Sequence, residues 1–227
     1  MRNAIEVNEF IVTIDNSGCI GSKDLDAVHV PDEITAYFTA RTAILEQLCA
    51  GAQPIQLLMA NFSGDAVWAS YEQGFQRAFD EMKLAMPPLT GSSESNFQAL
   101  QSAVSLTIIG QKKFQRTVQD CVFFVVGEPL VGNDVLANPN KVAKLHELYE
   151  GLVDETIAAI WPTGSKGIAT EIERFIGKGY TSDVELHTSA GPSCAVLVAV
   201  QHQNIQSFKE KISAPIYEIT ALKKYFK

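Results

Sequence analysis

The residues of this chain best placed to do chemistry are carboxylates set among small or hydroxylated neighbours, and Glu46 is the clearest of them. A helix ending Leu45-Glu46-Gln47-Leu48-Cys49-Ala50-Gly51-Ala52-Gln53-Pro54 runs straight into the apolar strand Ile55-Gln56-Leu57-Leu58-Met59-Ala60. Ile34, Tyr37, Phe38, Leu45 and Leu48 recur three or four apart or at multiples of a turn, which gives one core-facing stripe. Glu46 lies off that stripe, on a face shared with Thr39, Thr42, Ala43 and Ala50. Small neighbours let another element or a ligand come close, so Glu46 reads as a holder of a metal or a metal–phosphate group. The alternative is a solvated Glu on an ordinary helix, since acidic side chains are mostly exposed.

A second group is the segment Thr90-Gly91-Ser92-Ser93-Glu94-Ser95-Asn96, read as a loop between two apolar stretches. Its hydroxyls and the backbone N–H groups around Gly91 suit phosphate oxygens, and Glu94 suits a divalent cation. A plain polar hairpin connection is the competing reading. Asp15-Asn16, at the end of a buried strand, repeats the pairing of a carboxylate with an amide on a rigid element. Gly164-Ser165-Lys166-Gly167 offers a flexible turn, a helix N-terminus and one Lys, all suited to an anion. It lacks the full P-loop spacing, and a helix–helix turn with an exposed Lys serves equally well. The four His residues are scattered, and the four Cys residues are far apart with no Cys-x-x-Cys pair, so zinc and a disulfide framework are not expected. No G-x-S-x-G elbow is present, which removes a serine hydrolase of that type.

These groups must be held by a folded scaffold, and 227 residues with 46% hydrophobic and 19% charged content suffice for one large domain or two small ones. A net charge of -8 opposes a nucleic-acid footprint, and the pairs Lys112-Lys113 and Lys223-Lys224 read as solvated surface. An acidic protein can still take a metal–nucleotide, because carboxylates hold the cation and the cation bridges the phosphates. Met1 to Glu6 has no apolar signal core and no apolar run is long enough to cross a bilayer, so no membrane partner and a cytoplasmic location are expected.

Along the chain, Glu9 to Asp15 reads as a strand ending in a turn, Asp15 to Gly18. Pro31-Asp32 opens the first helix, and the strand from Ile55 leads to a second helix carrying Trp68, Tyr71, Phe75, Phe79 and Met82 on one face. Met86-Pro87-Pro88 stops it, and strands follow near Ala103 to Ile109 and Cys121 to Gly127. The first half is therefore β-α-β-α-β-β, an α/β (α+β) pattern. Gly132 to Pro139 reads as the linker, which divides the chain into 1–130 and a smaller α+β domain, 131–227. There we expect a helix to about Ile160, a turn over Trp161 to Gly167 and a helix to about Gly177. A strand from Cys194 to Val200, a short helix from Ile205 to Lys211 and a strand from Ile216 to Thr220 follow.

The run Ala43 to Pro54 resembles the helix segment N-L-S-D-I-A-A-M-G-A-K-P of the aminoimidazole ribonucleotide synthetase (PurM-like) superfamily. In that alignment Glu46 falls where the family keeps a metal-binding Asp. Thr90-Gly91-Ser92-Ser93 falls on the family's G-G-D-T loop, and Ile109-Gly110 on the end of the strand after it. Asp15-Asn16 is similar to the first acidic pair, and Val28-His29-Val30-Pro31 to the segment V-H-F-x. The likeness covers most of the first half and more loosely the second. The chain departs from the pattern where Ser92 replaces the usual Asp, where Asn16 replaces an acid, and in lacking a long Gly-rich N-terminal arm. These departures resemble the short branch described as alpha-ribazole kinases of cobalamin salvage. Its signatures are similar to Asp15 to Gly21, Thr90 to Asn96, Gly164 to Ile168 and Ser189 to Pro192.

The resemblance implies a PurM-like two-part architecture, with an N-terminal domain that binds ATP and dimerises, and a kinase that uses ATP and Mg2+ on a nucleoside-like small molecule. On that basis Asp15, Glu46 and Glu94 are the expected magnesium ligands. Asn16, Gly91, Ser92, Ser93 and Asn96 are the expected nucleotide-binding residues, and Lys23 and Lys166 the groups that neutralise the transferring phosphoryl. No residue stands out as a general base. Two alternatives share the resemblance: a nucleotide-binding protein that does no chemistry, and another ATP-dependent reaction of the superfamily, of the thiamine-phosphate kinase or synthetase type.

Overall fold

Alternating residues along Phe10–Gly18 face opposite sides, Ile11 and Thr13 buried and Ile14 and Asn16 open, and this alternation organises the first half of the chain. The computed structural model describes residues 2–222, and Lys223-Lys224 lie outside the described residues. Strands β1 (Ala4–Val7), β2 (Phe10–Gly18), β3 (Ile20–Gly21) and β4 (Val28–His29) precede helix α1 (Asp32–Cys49). Strand β5 (Ala52–Asn61), helix α2 (Trp68–Glu81) and strands β6 (Leu89–Ser93) and β7 (Ala103–Lys112) follow. Five strands form one sheet in the order β1-β2-β7-β5-β6, antiparallel except for the β5–β6 pair.

Helix α1 lies between this sheet and α2, so its burial runs nearly all round and not along one stripe. On the sheet side the Gln47 Nε2 amide donates to the Ile11 carbonyl (3.0 Å), the Thr13 hydroxyl (3.1 Å) and the Ile108 carbonyl (2.8 Å). One amide thus ties the helix to both β2 and β7. On the other side Tyr71, Phe75 and Phe79 of α2 are buried at the spacing expected of a helix face. Gly74 allows the two helices to touch, because a Cβ there would overlap the Glu33 carbonyl oxygen and come within 2.6 Å of the Ala36 Cβ.

Several boundaries differ from expectation. Strand β2 continues through the expected turn Asp15 to Gly18, and Cys19, whose φ is 61°, still donates its N–H to the Ser102 carbonyl at 2.8 Å. Strand β5 begins at Ala52, and the register shift between Pro54 and Gln56 accommodates the proline as a bulge. The expected loop at Thr90 to Asn96 starts as the short polar edge strand β6, which pairs with β5 from Leu57 to Asn61.

The division between units falls at Lys113/Phe114 and not at 130/131, and the second unit is as long as the first. The cause is β8 (Cys121–Val126), which pairs with two later strands. After β8 come α3 (Asn133–Ala137), α4 (Leu145–Val153), β9 (Ala159–Pro162), α5 (Gly167–Ile176) and β10 (Tyr180–Thr181). Strand β11 (Val196–Gln201), helix α6 (Ile205–Lys211) and strand β12 (Ile216–Ala221) close the unit. The sheet order is β10-β12-β8-β11-β9, antiparallel throughout, with β11 buried on both faces from Val196 to Val200. The helix expected to reach Ile160 ends at Val153, and Trp161-Pro162 belong to β9; that strand is an edge, which tolerates Pro162.

The contact at Gly74 sets how closely α2 holds α1. Gly74→Ala should destabilise the fold by roughly 1–3 kcal/mol through overpacking, read as a lower denaturation midpoint with an unchanged slope. An unaltered midpoint would show that the helix pair does not depend on this approach.

Candidate functional site

The close packing of α1 on β2 buries Glu46, which is 1% exposed, on the same side of the sheet as Thr13 and Asp15. Its carboxylate accepts from the Arg2 guanidinium, and from both the backbone N–H and the side-chain amide of Asn3 at 3.3 Å. Farther along the same seam the hydroxyls of Ser17 and Thr39 meet at 2.8 Å, and Thr13 donates to the Ala43 carbonyl at 3.1 Å. Asp15 sits between these points. Burial pushes its carboxyl up to about 7, and the charge of Glu46 adds to that. The Asn16 backbone N–H, the charge of Arg2 and the Thr42 hydroxyl act in the opposite direction.

Asp15 and Glu46 are therefore brought together, but Glu94 is not. Asp15 is in register with Leu106, Leu106 with Met59, and Met59 with Gly91, so three strand spacings of ~4.8 Å separate Asp15 from β6. Glu94 lies beyond the end of that strand, where one carboxylate oxygen accepts the N–H groups of Asn96 (2.8 Å) and Phe97 (3.3 Å) and closes its own loop. Among the described residues no group of three or more His, Cys, Asp or Glu side chains could hold a metal ion. The expected set of Asp15, Glu46 and Glu94 does not fit a single magnesium ion.

The expected nucleotide ligands lie toward the end of the sheet where β5 and β6 finish. Asn16, Ser105, Ala60 and Ser92 form a row across it through consecutive register partners. Asn16, Ser92 and Asn96 are exposed, so their donors are accessible to a ligand. Gly91 packs its backbone against that of Met59, leaving no room for a side chain. Ser93 is already engaged, accepting from the Asn61 amide at 3.0 Å. Asn61 also donates to the Gly64 carbonyl at 2.8 Å, accepts from the Ser63 N–H at 2.9 Å, and accepts the Glu94 N–H on its main-chain oxygen at 2.8 Å. Lys23 donates its ammonium to the Ala99 carbonyl at 2.8 Å, and Asp26 accepts the Lys23 and Ser102 N–H groups at 2.9 and 2.7 Å. The loops carrying Lys23 and Asn96 are thus pinned to one another.

In the second unit, Lys166 is exposed and precedes α5. Two segments separated in sequence meet there: the Ala190 N–H donates to the Gly164 carbonyl at 3.1 Å, and Gly167, with φ of 80°, packs against the Leu186 and His187 carbonyls. Thr163 and Ser193 bind the Ala195 and Thr163 carbonyls at 2.6 and 2.8 Å and fix both segments.

Sequence reasoning missed Arg2, Asn3 and Asn61. Nothing in the spacing of Arg2 to Glu46 signals a contact across 44 positions, whereas Asn61, followed by Ser63-Gly64, carries the composition of an Asx turn.

The Asp15 environment makes stability depend on pH. Below the ordinary aspartate value of 3.8 both folded and unfolded chains hold the proton; as pH rises toward about 7 only the unfolded chain gives it up. Stability therefore falls across this window. Asp15→Asn should match wild type near about pH 4 and exceed it above about pH 7 by on the order of 1 kcal/mol or more, seen in melting temperature against pH. Parallel curves would remove the elevated carboxyl.

No family model matches the chain, and no curated protein sequence matches it. Solved structures do. Thiamine monophosphate kinase from Aquifex aeolicus superposes with a TM-score of 0.64 at 12% identity, over 98% of this chain and 88% of that one. Hydrogenase maturation protein HypE gives 0.63 at 10% identity, over 97% and 83%. T. maritima PurL, solved with AMPPCP, gives 0.56 at 11% identity; the match spans 96% of this chain but 42% of PurL. HypE has also been solved in complex with ATP, matching at 0.60. The chain is a mixed α/β protein with the PurM-like fold that the run Ala43 to Pro54 implies.

Proposed function

We propose that the chain is an ATP-dependent phosphotransferase acting on a nucleoside-like small molecule, with alpha-ribazole as acceptor and alpha-ribazole phosphate as product. The observation that carries this reading is the match over nearly the full length of both chains to thiamine monophosphate kinase. The complexes of HypE and PurL with ATP support the nucleotide, and the likeness of Asp15 to Gly21 and Thr90 to Asn96 to the alpha-ribazole kinase branch supports the acceptor.

Phosphoryl transfer asks a protein for positioned cations and donors more than for covalent chemistry. Magnesium enters as part of the substrate, MgATP, and needs no three-carboxylate site in the empty protein. Asn16 and Ser92, on one row of the sheet, and Asn96 at its end offer donors to phosphate or ribose oxygens. Lys23, in the first unit, supplies positive charge for the phosphoryl group. A non-catalytic nucleotide-binding protein is the second reading, favoured by Glu46 being bound to Arg2 and by Ser92 standing where the family has an acid.

The protein is proposed to act as a homodimer through the sheet face opposite α1. That face carries Ile5 (64% exposed), Val7, Ile14 (55%) and Leu58, with Ile5 opposite Val12 and Ile14 in line with Thr107 and Leu58. A contiguous apolar face of this kind marks an association surface.

Ser92→Ala should weaken ATP by about tenfold while leaving adenosine unchanged, since a hydrogen bond to a charged group is worth roughly 1.5–3 kcal/mol. Calorimetric titration with both ligands measures this, and equal losses would remove Ser92 from the phosphates. Incubating the protein with MgATP and alpha-ribazole should add one phosphoryl group to the acceptor by mass spectrometry. Binding of ATP with no acceptor consumed and no single-turnover hydrolysis would favour the non-catalytic reading. Light scattering at micromolar concentration should give a dimer mass that Leu58→Asp halves; a monomer in both would refute the interface.

A further inference from the structure

We propose that Phe62 is the residue that selects for the base of a bound nucleoside, with a planar ring lying against its phenyl group while oxygens of the same molecule take the donors of Asn16 and Ser92. The inference rests on the phosphotransferase reading for the class of ligand and adds which part of that ligand lies where. Strand alternation is its starting point. Residues two apart on a strand share a face. The ladder that pairs Asn61 with Val104 runs on one step, where the Phe62 N–H donates to the Ala103 carbonyl at 3.0 Å. Asn61 is buried and Phe62 is 51% exposed, so Phe62 points away from α1, to the face that carries Asn16, Ser105, Ala60 and Ser92. Gly18 is in register with Ala103, and Phe62 therefore ends a second row, Gly18–Ala103–Phe62, one side-chain step of about 7 Å beyond the row of donors.

The mounting of Phe62 suits a recognition residue. Asn61 before it binds the Gly64 carbonyl, the Ser63 N–H and the Ser93 hydroxyl. Ser63 after it binds the Tyr71 hydroxyl and both main-chain groups of Ala103. The ring thus stands on backbone fixed from both sides, and little ordering is left for a ligand to impose. The face beside it is open: nothing lies within 4 Å of where a Gly18 Cβ would be, and Ala103 adds one methyl group. An apolar ring beside a row of exposed amide and hydroxyl donors matches a nucleoside phosphate, which divides in the same way into a flat base and anionic oxygens, with one ribose spanning the interval. Stacking on an aromatic face depends on the flat surface of the base and not on its edge groups, so Phe62 selects for a planar ring and tolerates different bases.

Calorimetric titration of the full chain with adenosine, ATP, alpha-ribazole and inorganic tripolyphosphate tests this. Phe62→Ala should weaken either adenosine and ATP together, or alpha-ribazole, by about fivefold or more, and should leave tripolyphosphate unchanged. The nucleoside that loses affinity is the one whose base lies there. Phe62→Trp should keep the affinity, whereas Phe62→Leu, which retains apolar bulk without the ring face, should lose it and serves in place of alanine if that variant does not fold. Unchanged affinity for both nucleosides, or an equal loss for tripolyphosphate, would overturn the proposal. Ile14 and Leu58 of the association surface lie on the same face, so a lower mass of Phe62→Ala by light scattering would make Phe62 a subunit contact and overturn it too. Phosphoryl transfer with unaltered KM for both substrates in Phe62→Ala would remove this role and leave the phosphotransferase reading standing. A nucleoside affinity that depends on Phe62, with no phosphoryl transfer, would support the role and remove that reading; a wild-type protein that binds neither nucleoside would overturn both.

Discussion

The first unit is built around a helix that has almost no solvent face. Because α1 is enclosed by the sheet on one side and α2 on the other, each polar group it carries must find a partner inside the protein. The Gln47 amide nitrogen, the Thr39 hydroxyl and the Glu46 carboxylate do so, reaching toward β2, β7 or the residues ahead of β1, while the Gln47 amide oxygen is buried without a partner among the described residues. This requirement sets the orientation of α1 and the register of the strands beneath it. It also turns Glu46 from a surface charge into a charged group needing compensation.

Much of the architecture was legible in the apolar periodicity. The α1 and α2 starts, the strands near Ile55 and Ala103, and the final helix and strand agree with what repeat spacing and turn chemistry predict. The errors have one physical source, which is that local pattern cannot reveal the strand on the far side of a pair. Thr90 to Ser93 is too polar to read as a strand, yet β5 offers it a ladder and it takes one. Cys121–Val126 is plainly a strand, but only its partners β11 and β12 assign it to the second unit. Ala159-Ile160 follows a helical pattern closely enough to be absorbed into it and Trp161-Pro162 reads as a turn, until pairing with β11 draws all four into a sheet.

The candidate site was legible in part for the same reason. Residue types identified Asp15, Glu46, Ser92 and Lys166 as chemically capable, but not their spatial relations. Register places Asp15 and Glu94 across the width of the sheet, whereas Arg2, with no distinguishing local context, closes on Glu46. A cation was foreseen beside Glu46, and the chain itself supplies one.

Asn61 holds together the loops at this end of the sheet. A single residue holds the start of the segment before α2 through Ser63 and Gly64, and the exit of β6 through Ser93 and Glu94. Ser63 in turn bridges to the Tyr71 hydroxyl and to both main-chain groups of Ala103. These segments share one rigid hub, so the conformational entropy of arranging them is lost during folding and not at the moment of association. Any guest that the proposed function brings there would find the rim already shaped, and its residence would be governed by the contacts it makes.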